Sequence, residues 1–139
     1  GDMNGGFNPI KDLYKMDVYR MCRWRNANVP VGGKAPGGVV IPERILTKAP
    51  TAELKANQTD QDSLPPYDEL DAILQCLVEG EMAVDEIAAL GHDRALVNRV
   101  WRMLDIAEYK RRQAPPGVRV SRRAFGRDWR YPITSGYKR

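Results

Sequence analysis

Residues 64–80, LPPYDELDAILQCLVEG, are the clearest structural signal in this chain. Apolar residues recur there at the spacing of one face of an α-helix; they are Leu70, Ile73, Leu74, Leu77 and Val78. Pro65 and Pro66 favour a helix that starts directly after them, and Gly80 favours a helix end. The stretch therefore predicts an amphipathic helix whose apolar face packs into a core.

Two further helices are predicted downstream of Gly80. The first is short, and its apolar residues are Val84, Ile87, Ala88 and Leu90. After a turn at Gly91-His92-Asp93, a longer helix carries Leu96, Val97, Val100, Trp101, Leu104 and Ala107. Pro115-Pro116 is expected to close it, because proline cannot continue a helix.

The upstream third of the chain combines one helix with irregular loops. Asn8-Pro9 is typical of a helix cap followed by a first helical proline, and the predicted helix ends near Asn26. Residues 29–42 contain three prolines and four glycines, and the four glycines occur in the runs Gly32-Gly33 and Pro36-Gly37-Gly38. This density of glycine and proline predicts a loop. Residues 55–63 are polar and have no hydrophobic period, which predicts a surface loop.

Composition narrows the class of protein. The chain has 139 residues, the size of one domain, with 42% apolar and 29% charged residues. No apolar run approaches the about 20 residues that cross a bilayer, so no membrane role is expected. Because the first residues lack the features of a secretion signal, we expect a cytoplasmic location. Cys22, Cys76 and His92 cannot form a zinc-ligand pattern, and both cysteines are expected to be buried.

Charge is distributed unevenly along the chain. Residues 51–93 carry eleven acidic residues and one basic residue, Lys55, whereas residues 109–139 carry ten Lys or Arg and one acid, Asp128. This asymmetry favours either an anionic partner for the tail or a tail that lies against the acidic middle of the same chain.

A helix-turn-helix is one alternative interpretation of the centre. DEIAALG, residues 85–91, precedes a helix whose basic or polar residues are Arg94, Asn98, Arg99 and Arg102. The acidic residues around it make phosphate contact unfavourable, and a solvated basic face is the more common explanation. We therefore expect no nucleic-acid partner, and keep a nucleic-acid-binding or non-catalytic interaction module as the alternative.

Three stretches of the chain resemble one enzyme family. They are residues 1–15, GDMNGGFNPIKDLYK; residues 41–54, IPERILTKAPTAEL, with 58–67, QTDQDSLPPY; and residues 108–117, EYKRRQAPPG, with 125–134, FGRDWRYPIT. Together they resemble the glutamine-dependent NAD synthetases across nearly the whole chain. The middle stretch is the most specific of the three.

The resemblance implies a fold and a reaction. It implies a mainly α piece from the C-terminal, helical portion of an α/β, Rossmann-like synthetase domain of the adenine nucleotide alpha hydrolase type. Enzymes of this family are ligases that adenylate the nicotinate carboxylate of deamido-NAD with ATP and magnesium, after which ammonia displaces AMP. A separate glutamine amidase domain supplies the ammonia, and family members form homo-oligomers.

The resemblance also assigns parts and residues. Residues 1–26 are a loop and helix, 27–66 Gly/Pro-rich and nucleotide-covering loops, 67–110 helices and 111–139 a basic tail. Lys15 and Thr51 match ATP-binding residues, and Lys110 matches a deamido-NAD-binding lysine. Without the resemblance, they are a helix lysine, a helix cap and a tail cation.

One element of the family pattern is absent from the sequence. The Ser-Gly-Gly-x-Asp-Ser loop, whose backbone N–H groups hold pyrophosphate, does not occur among the 139 residues. We therefore expect a piece of a longer enzyme that is inactive alone, contains no catalytic residue or metal ligand, and binds neither ATP nor magnesium without the upstream half of the domain. The acids of residues 59–62 are interpreted as a solvated loop.

Overall fold

The structure, a computed structural model, describes residues 5–34, 36–51 and 59–134. Within these ranges the secondary structure is helical and contains no β-strand, which confirms the mainly α prediction. The helices are α1 (Lys15–Ala27), α2 (Glu43–Thr47), a 3-10 turn (Asp60–Asp62), α3 (Tyr67–Val78), α4 (Val84–Ala89), α5 (Arg94–Ile106) and α6 (Glu108–Gln113). None of them is long and apolar enough to span a membrane.

The chain divides into two compact units. One unit comprises Gly1–Leu13 and Leu70–Arg139, and the other comprises Tyr14–Glu69. Predictions that concern residues 1–4, the loop at 55–58 and the end of the tail at 135–139 lie outside the described residues.

Helix α3 forms where its apolar period predicts it. Leu70, Ile73, Leu77 and Val78 are buried, and Leu74 is half-buried. Ile87 of α4 and Val97 and Val100 of α5 are also almost completely buried, so three successive helices supply the apolar core of this unit. Helix α3 ends before Gly80, as the sequence predicts.

The turn between α4 and α5 also follows the prediction. Gly91 has φ +102°, a conformation that side chains with a Cβ rarely adopt. The Asp93 carboxylate then accepts a hydrogen bond from Leu96 N at 2.7 Å and caps α5. The two helices pack against each other.

The predicted end of the long helix at Pro115 is wrong. Helix α5 ends at Ile106, Ala107 interrupts it, and α6 begins at Glu108. Directly after the break, Glu108 and Arg111 are buried and form an ion pair. No glycine or proline marks this break in the sequence.

The predicted start of the first helix at Asn8-Pro9 is also wrong. Asn8 Oδ1 accepts a hydrogen bond from Ile10 N at 3.2 Å, and Asn8 N donates to Pro116 O at 2.8 Å. These contacts make residues 8–13 a turn anchored on the tail, and α1 starts only at Lys15. Its end at Ala27 agrees with the prediction to within one residue.

The remaining predictions for the upstream part have mixed outcomes. The described residues between 29 and 42 form turns and bends without a helix or strand, as their glycines and prolines predict. The predicted burial of the cysteines is wrong, because Cys22 and Cys76 are both half-buried thiols. Helix α1 buries none of its residues, and Cys76 lies beside the inward face of α3.

Candidate functional site

Lys15 is the first residue of α1 and is half-buried. Its ammonium lies 5.5 Å from the centroid of the Tyr19 ring and 5.4 Å from that of the Tyr67 ring. A cation in the first turn opposes the helix dipole, and the two aromatic rings offset this cost by attracting the ammonium. The arrangement therefore concentrates positive charge at a helix start, where an anion is favoured.

Tyr67 connects Lys15 with the stretch that contains Thr51. The Tyr67 hydroxyl donates a hydrogen bond to the Asp60 carboxylate, and Asp60 N donates to Pro50 O at 3.0 Å. Thr51 follows Pro50 directly and is half-buried. Lys15 and Thr51 thus belong to one unit and are linked through Tyr67, Asp60 and Pro50.

The acids of the 3-10 turn serve the turn itself. Asp62 accepts hydrogen bonds from Thr59 N at 2.8 Å and from Thr59 Oγ1 at 3.0 Å. The backbone bond and then the side-chain bond lower the pKa of Asp62 below its ordinary range. Within residues 5–34, 36–51 and 59–134, no group of three or more His, Cys, Asp or Glu is arranged to hold a metal ion.

Lys110 lies in the other unit, on α6. Its side chain is exposed, whereas Glu108 and Arg111 of the same short helix are 1% and 2% exposed. The structure thus brings Lys15 and Thr51 into one unit and places Lys110 in the second.

Sequence reasoning missed the buried pair below Lys110. The Arg111 guanidinium pairs with the Glu108 carboxylate and donates to Trp129 O at 2.9 Å. Its central carbon lies 3.2 Å from the centroid of the Trp129 ring, with the Tyr131 ring at 5.5 Å and the Phe125 ring at 5.7 Å. The signal in the sequence was the run of aromatic residues that interleaves with the arginines of the tail.

The charge balance around this pair leaves Arg111 a cation at neutral pH. Burial, followed by repulsion from Arg130, lowers the pKa of Arg111 to about 10. Arg112 Nε also contacts Glu108 Oε1 at 3.0 Å, and Arg130 Nη1 lies 3.5 Å from the same oxygen. One buried carboxylate therefore holds three arginines of α6 and the tail.

Asp12 is a second buried charge that the sequence did not indicate. Its carboxylate accepts hydrogen bonds from Val120 N at 2.8 Å, Ser121 N at 2.7 Å and Phe125 N at 2.7 Å. The neighbouring Lys11 Nζ donates to Pro115 O at 2.8 Å. These contacts attach the N-terminal turn to the tail.

A cleft of about 400 Å³ opens in the same unit. Its lining residues are Leu77, Val78, Glu81, Met82, Ala83, Trp101, Arg123, Trp129, Arg130 and Tyr131. Arg123 crosses one side and pairs with Glu81 at 2.6 Å. This pair is a contact between the basic tail and the acidic middle of the chain, one of the two alternatives that the charge pattern left open.

The helix-turn-helix alternative is not supported by the ion pair that Arg94, on its basic helix, forms with an acidic residue. Arg94, the first residue of the second helix, pairs with Asp85 at 2.9 Å, and both side chains are largely exposed. An acid on the first helix competes with a phosphate for this arginine.

Comparison with known proteins decides the family. Residues 1–114 match the family model described as NAD synthase. The chain belongs to the NAD synthase family. The resemblance indicated by the sequence motifs is thereby confirmed.

Relatives within the NAD synthase family are similar along nearly the whole chain. The chain is 55% identical over 138 residues to the glutamine-dependent NAD(+) synthetase of Rhodobacter capsulatus. It is 51% identical over 138 residues to that of Thermotoga maritima. Each alignment covers 99% of this chain but only 25% and 23% of the relative, so the chain spans about a quarter of their length.

A solved structure in the family shares the fold of the chain. The glutamine-dependent NAD+ synthetase of Acinetobacter baumannii, in complex with adenosine diphosphate, is 40% identical with a TM-score of 0.51. The match covers 99% of this chain and 22% of that protein.

Proposed function

We propose that this chain is the C-terminal part of a glutamine-dependent NAD synthetase, a ligase that amidates deamido-NAD to NAD. In this proposal ATP activates the substrate carboxylate as an adenylate, and ammonia from glutamine then displaces AMP. The helices described here complete a Rossmann-like α/β synthetase domain whose remaining residues, like the glutamine amidase domain, belong to the parent enzyme. The parent is proposed to be a cytoplasmic homo-oligomer without a membrane or nucleic-acid partner.

The observation that carries the proposal is the position of Lys15. Its ammonium lies between the Tyr19 and Tyr67 rings at the start of α1, in the unit that also contains Thr51. A polyphosphate placed there meets a fixed positive charge. The adenosine diphosphate bound by the related Acinetobacter enzyme supports a nucleotide as the ligand.

Each predicted site residue has one role in the proposal. Lys15 binds ATP phosphate and stabilises the negative charge that develops on the leaving pyrophosphate. The Thr51 hydroxyl contacts ATP, and the Lys110 ammonium binds deamido-NAD. In this proposal magnesium accompanies ATP in the parent enzyme.

The chain alone is proposed to be incompetent. The sequence contains no Ser-Gly-Gly-x-Asp-Ser loop, and such a loop is what supplies converging N–H donors to pyrophosphate. Lys15 by itself offers one point charge, which is too little to hold a polyphosphate that water solvates well.

Calorimetric titration tests this proposal. ATP and deamido-NAD are titrated in turn into this chain and into a longer chain that includes the upstream half of the synthetase domain. We expect binding of both ligands only to the longer chain. Equal affinity of the two chains for ATP would mean that the anchor for the nucleotide lies within the 139 residues and that the division proposed here is wrong.

A further inference from the structure

Helix α6 presents Lys110 on the side opposite to a buried anchor. Successive residues of an α-helix are rotated by about 100°, so residues three apart share a face. Glu108 and Arg111 are three apart and both buried, whereas Lys110 between them is exposed. The direction in which the Lys110 side chain leaves the unit is therefore set by how Glu108 and Arg111 are held.

Helix α6 has only six residues, which is too short for it to be stable without contacts to the rest of the unit. Helices shorter than about 12 residues are marginal in water, and packing usually supplies their stability. Helix α6 runs from Glu108 to Gln113, and the most buried of its contacts with the tail are those of Arg111. Its guanidinium meets the Glu108 carboxylate, the Trp129 ring at 3.2 Å and Trp129 O at 2.9 Å.

We propose that Arg111 is a positioning residue for the deamido-NAD site. The contacts of Arg111 with Trp129 in the tail fix the position of α6. They thereby place the Lys110 ammonium where it can bind the anionic dinucleotide. The inference rests on the proposed role of Lys110 and adds to it the residue that makes this role possible. Arg111 itself is buried and does not touch the substrate.

The contacts of Arg111 require a guanidinium and not only a positive charge. A planar guanidinium can stack on an indole while its edge donates in two directions, to a carboxylate and to a carbonyl. A lysine ammonium at this position pairs with Glu108 but cannot also cover the Trp129 ring. A neutral side chain leaves the Glu108 carboxylate with only the partly exposed Arg112 and Arg130.

Steady-state kinetics of the longer synthetase chain test the inference. The variants are Arg111→Met, Arg111→Lys, Lys110→Ala and the combination of Lys110→Ala with Arg111→Met. Arg119→Met is the matched control, because Arg119 is an arginine of the tail whose side chain is 61% exposed. The KM for deamido-NAD, the KM for ATP and kcat are measured for each variant.

The expected result is weaker binding of deamido-NAD with little change for ATP. We expect Arg111→Met to raise the KM for deamido-NAD by about tenfold, because small displacements of a binding group are costly, while the KM for ATP stays within about twofold. Arg111→Lys should lie between this variant and the parent, and Arg119→Met should match the parent. In the Lys110→Ala background, Arg111→Met should change the KM for deamido-NAD no further, since two residues that act through one contact are not additive.

Two outcomes overturn the inference in distinguishable ways. If Lys110→Ala leaves the KM for deamido-NAD unchanged, the proposed role of Lys110 is wrong and the positioning role falls with it. Suppose instead that Lys110→Ala raises the KM for deamido-NAD as expected. If Arg111→Met then raises this KM by the same factor in the Lys110→Ala background as in the parent, or raises the KM values for deamido-NAD and ATP equally, only the positioning role is wrong. Should Arg111→Met not fold, Arg111→Lys, which keeps the charge beside Glu108, decides by the same two comparisons.

Discussion

Asp12 shows how one carboxylate joins segments that are more than a hundred residues apart in the chain. Burial raises the pKa of Asp12, but the hydrogen bonds from the backbone N–H groups of Ser121, Phe125 and Val120 outweigh it and leave the pKa below its ordinary value of 3.8. The ionised carboxylate is therefore more stable in the folded chain than in the unfolded one.

We predict that Asp12→Asn lowers the free energy of unfolding at pH 7 by about 2 kcal/mol, since hydrogen bonds to a charged group are replaced by weaker ones and an amide N–H₂ faces a donor. Because the folded-state pKa is depressed, the contribution of Asp12 is complete above about pH 4 and is lost as the pH falls through the folded-state value. The difference between the two proteins should therefore shrink in acid. Urea unfolding at pH 7 and at pH 3 measures it.

Asp105→Asn is the matched control for this prediction. Asp105 lies in the last turn of α5, where the same change of charge should alter the free energy of unfolding by less than about 0.5 kcal/mol. An Asp12→Asn variant as stable as the control at pH 7 would show that the three N–H bonds do not stabilise the fold.

A motif allows a residue role to be proposed from the sequence, whereas distant contacts become visible only in the structure. The roles of Lys15 and Lys110 stay predictions, and they could be made because the short stretches around these residues match a family. Asp12 and Arg111 were not singled out in the sequence, because each is hydrogen-bonded to a distant backbone group, at a separation of 108 and 18 residues respectively. Nothing in the local sequence marks a charged residue as buried when its partners are distant backbone groups.

Among the helices, periodicity was sufficient for α3 and insufficient for two boundaries. The apolar residues of α3 repeat over three turns, so one face is defined without knowledge of the partner. The break at Ala107 has no sequence signal, because no glycine or proline stands there and the apolar period of α5 does not mark its end. Likewise, Asn8-Pro9 has the composition of a helix start, but the hydrogen bond from Asn8 N to Pro116 O selects a turn instead.

The start of α5 allows a test of the turn between α4 and α5. We predict that Asp93→Ala lowers the free energy of unfolding by about 1 kcal/mol, because Leu96 N loses its acceptor. Asp93→Asn is the control, since its amide oxygen can still accept that hydrogen bond. Its loss in the free energy of unfolding should be less than half of the loss caused by Asp93→Ala. Both are measured by urea unfolding followed by circular dichroism. Equal losses would assign the effect to the charge at the helix start and not to the cap.

At the scale of the whole molecule, the predicted ligand contacts are divided between two units. Lys15 and Thr51 lie in the unit Tyr14–Glu69, and Lys110 lies in the unit with α6 and the tail. In the proposed function, each unit carries the cation for one of the two nucleotide substrates. It also means that damage to one unit should affect one substrate more than the other.

We therefore predict opposite selectivity for two lysine variants of the longer enzyme. Lys15→Ala should raise the KM for ATP, and Lys110→Ala the KM for deamido-NAD, each by about tenfold, since a contact between an ammonium and an anion is worth one to two kcal/mol. The other KM should stay within about twofold in each case. Lys34→Ala, an exposed lysine of the glycine-rich loop, is the control for the loss of one positive charge. If either lysine variant raises both KM values to the same extent, the two substrates share that cation, and the assignment of one substrate to each unit is wrong.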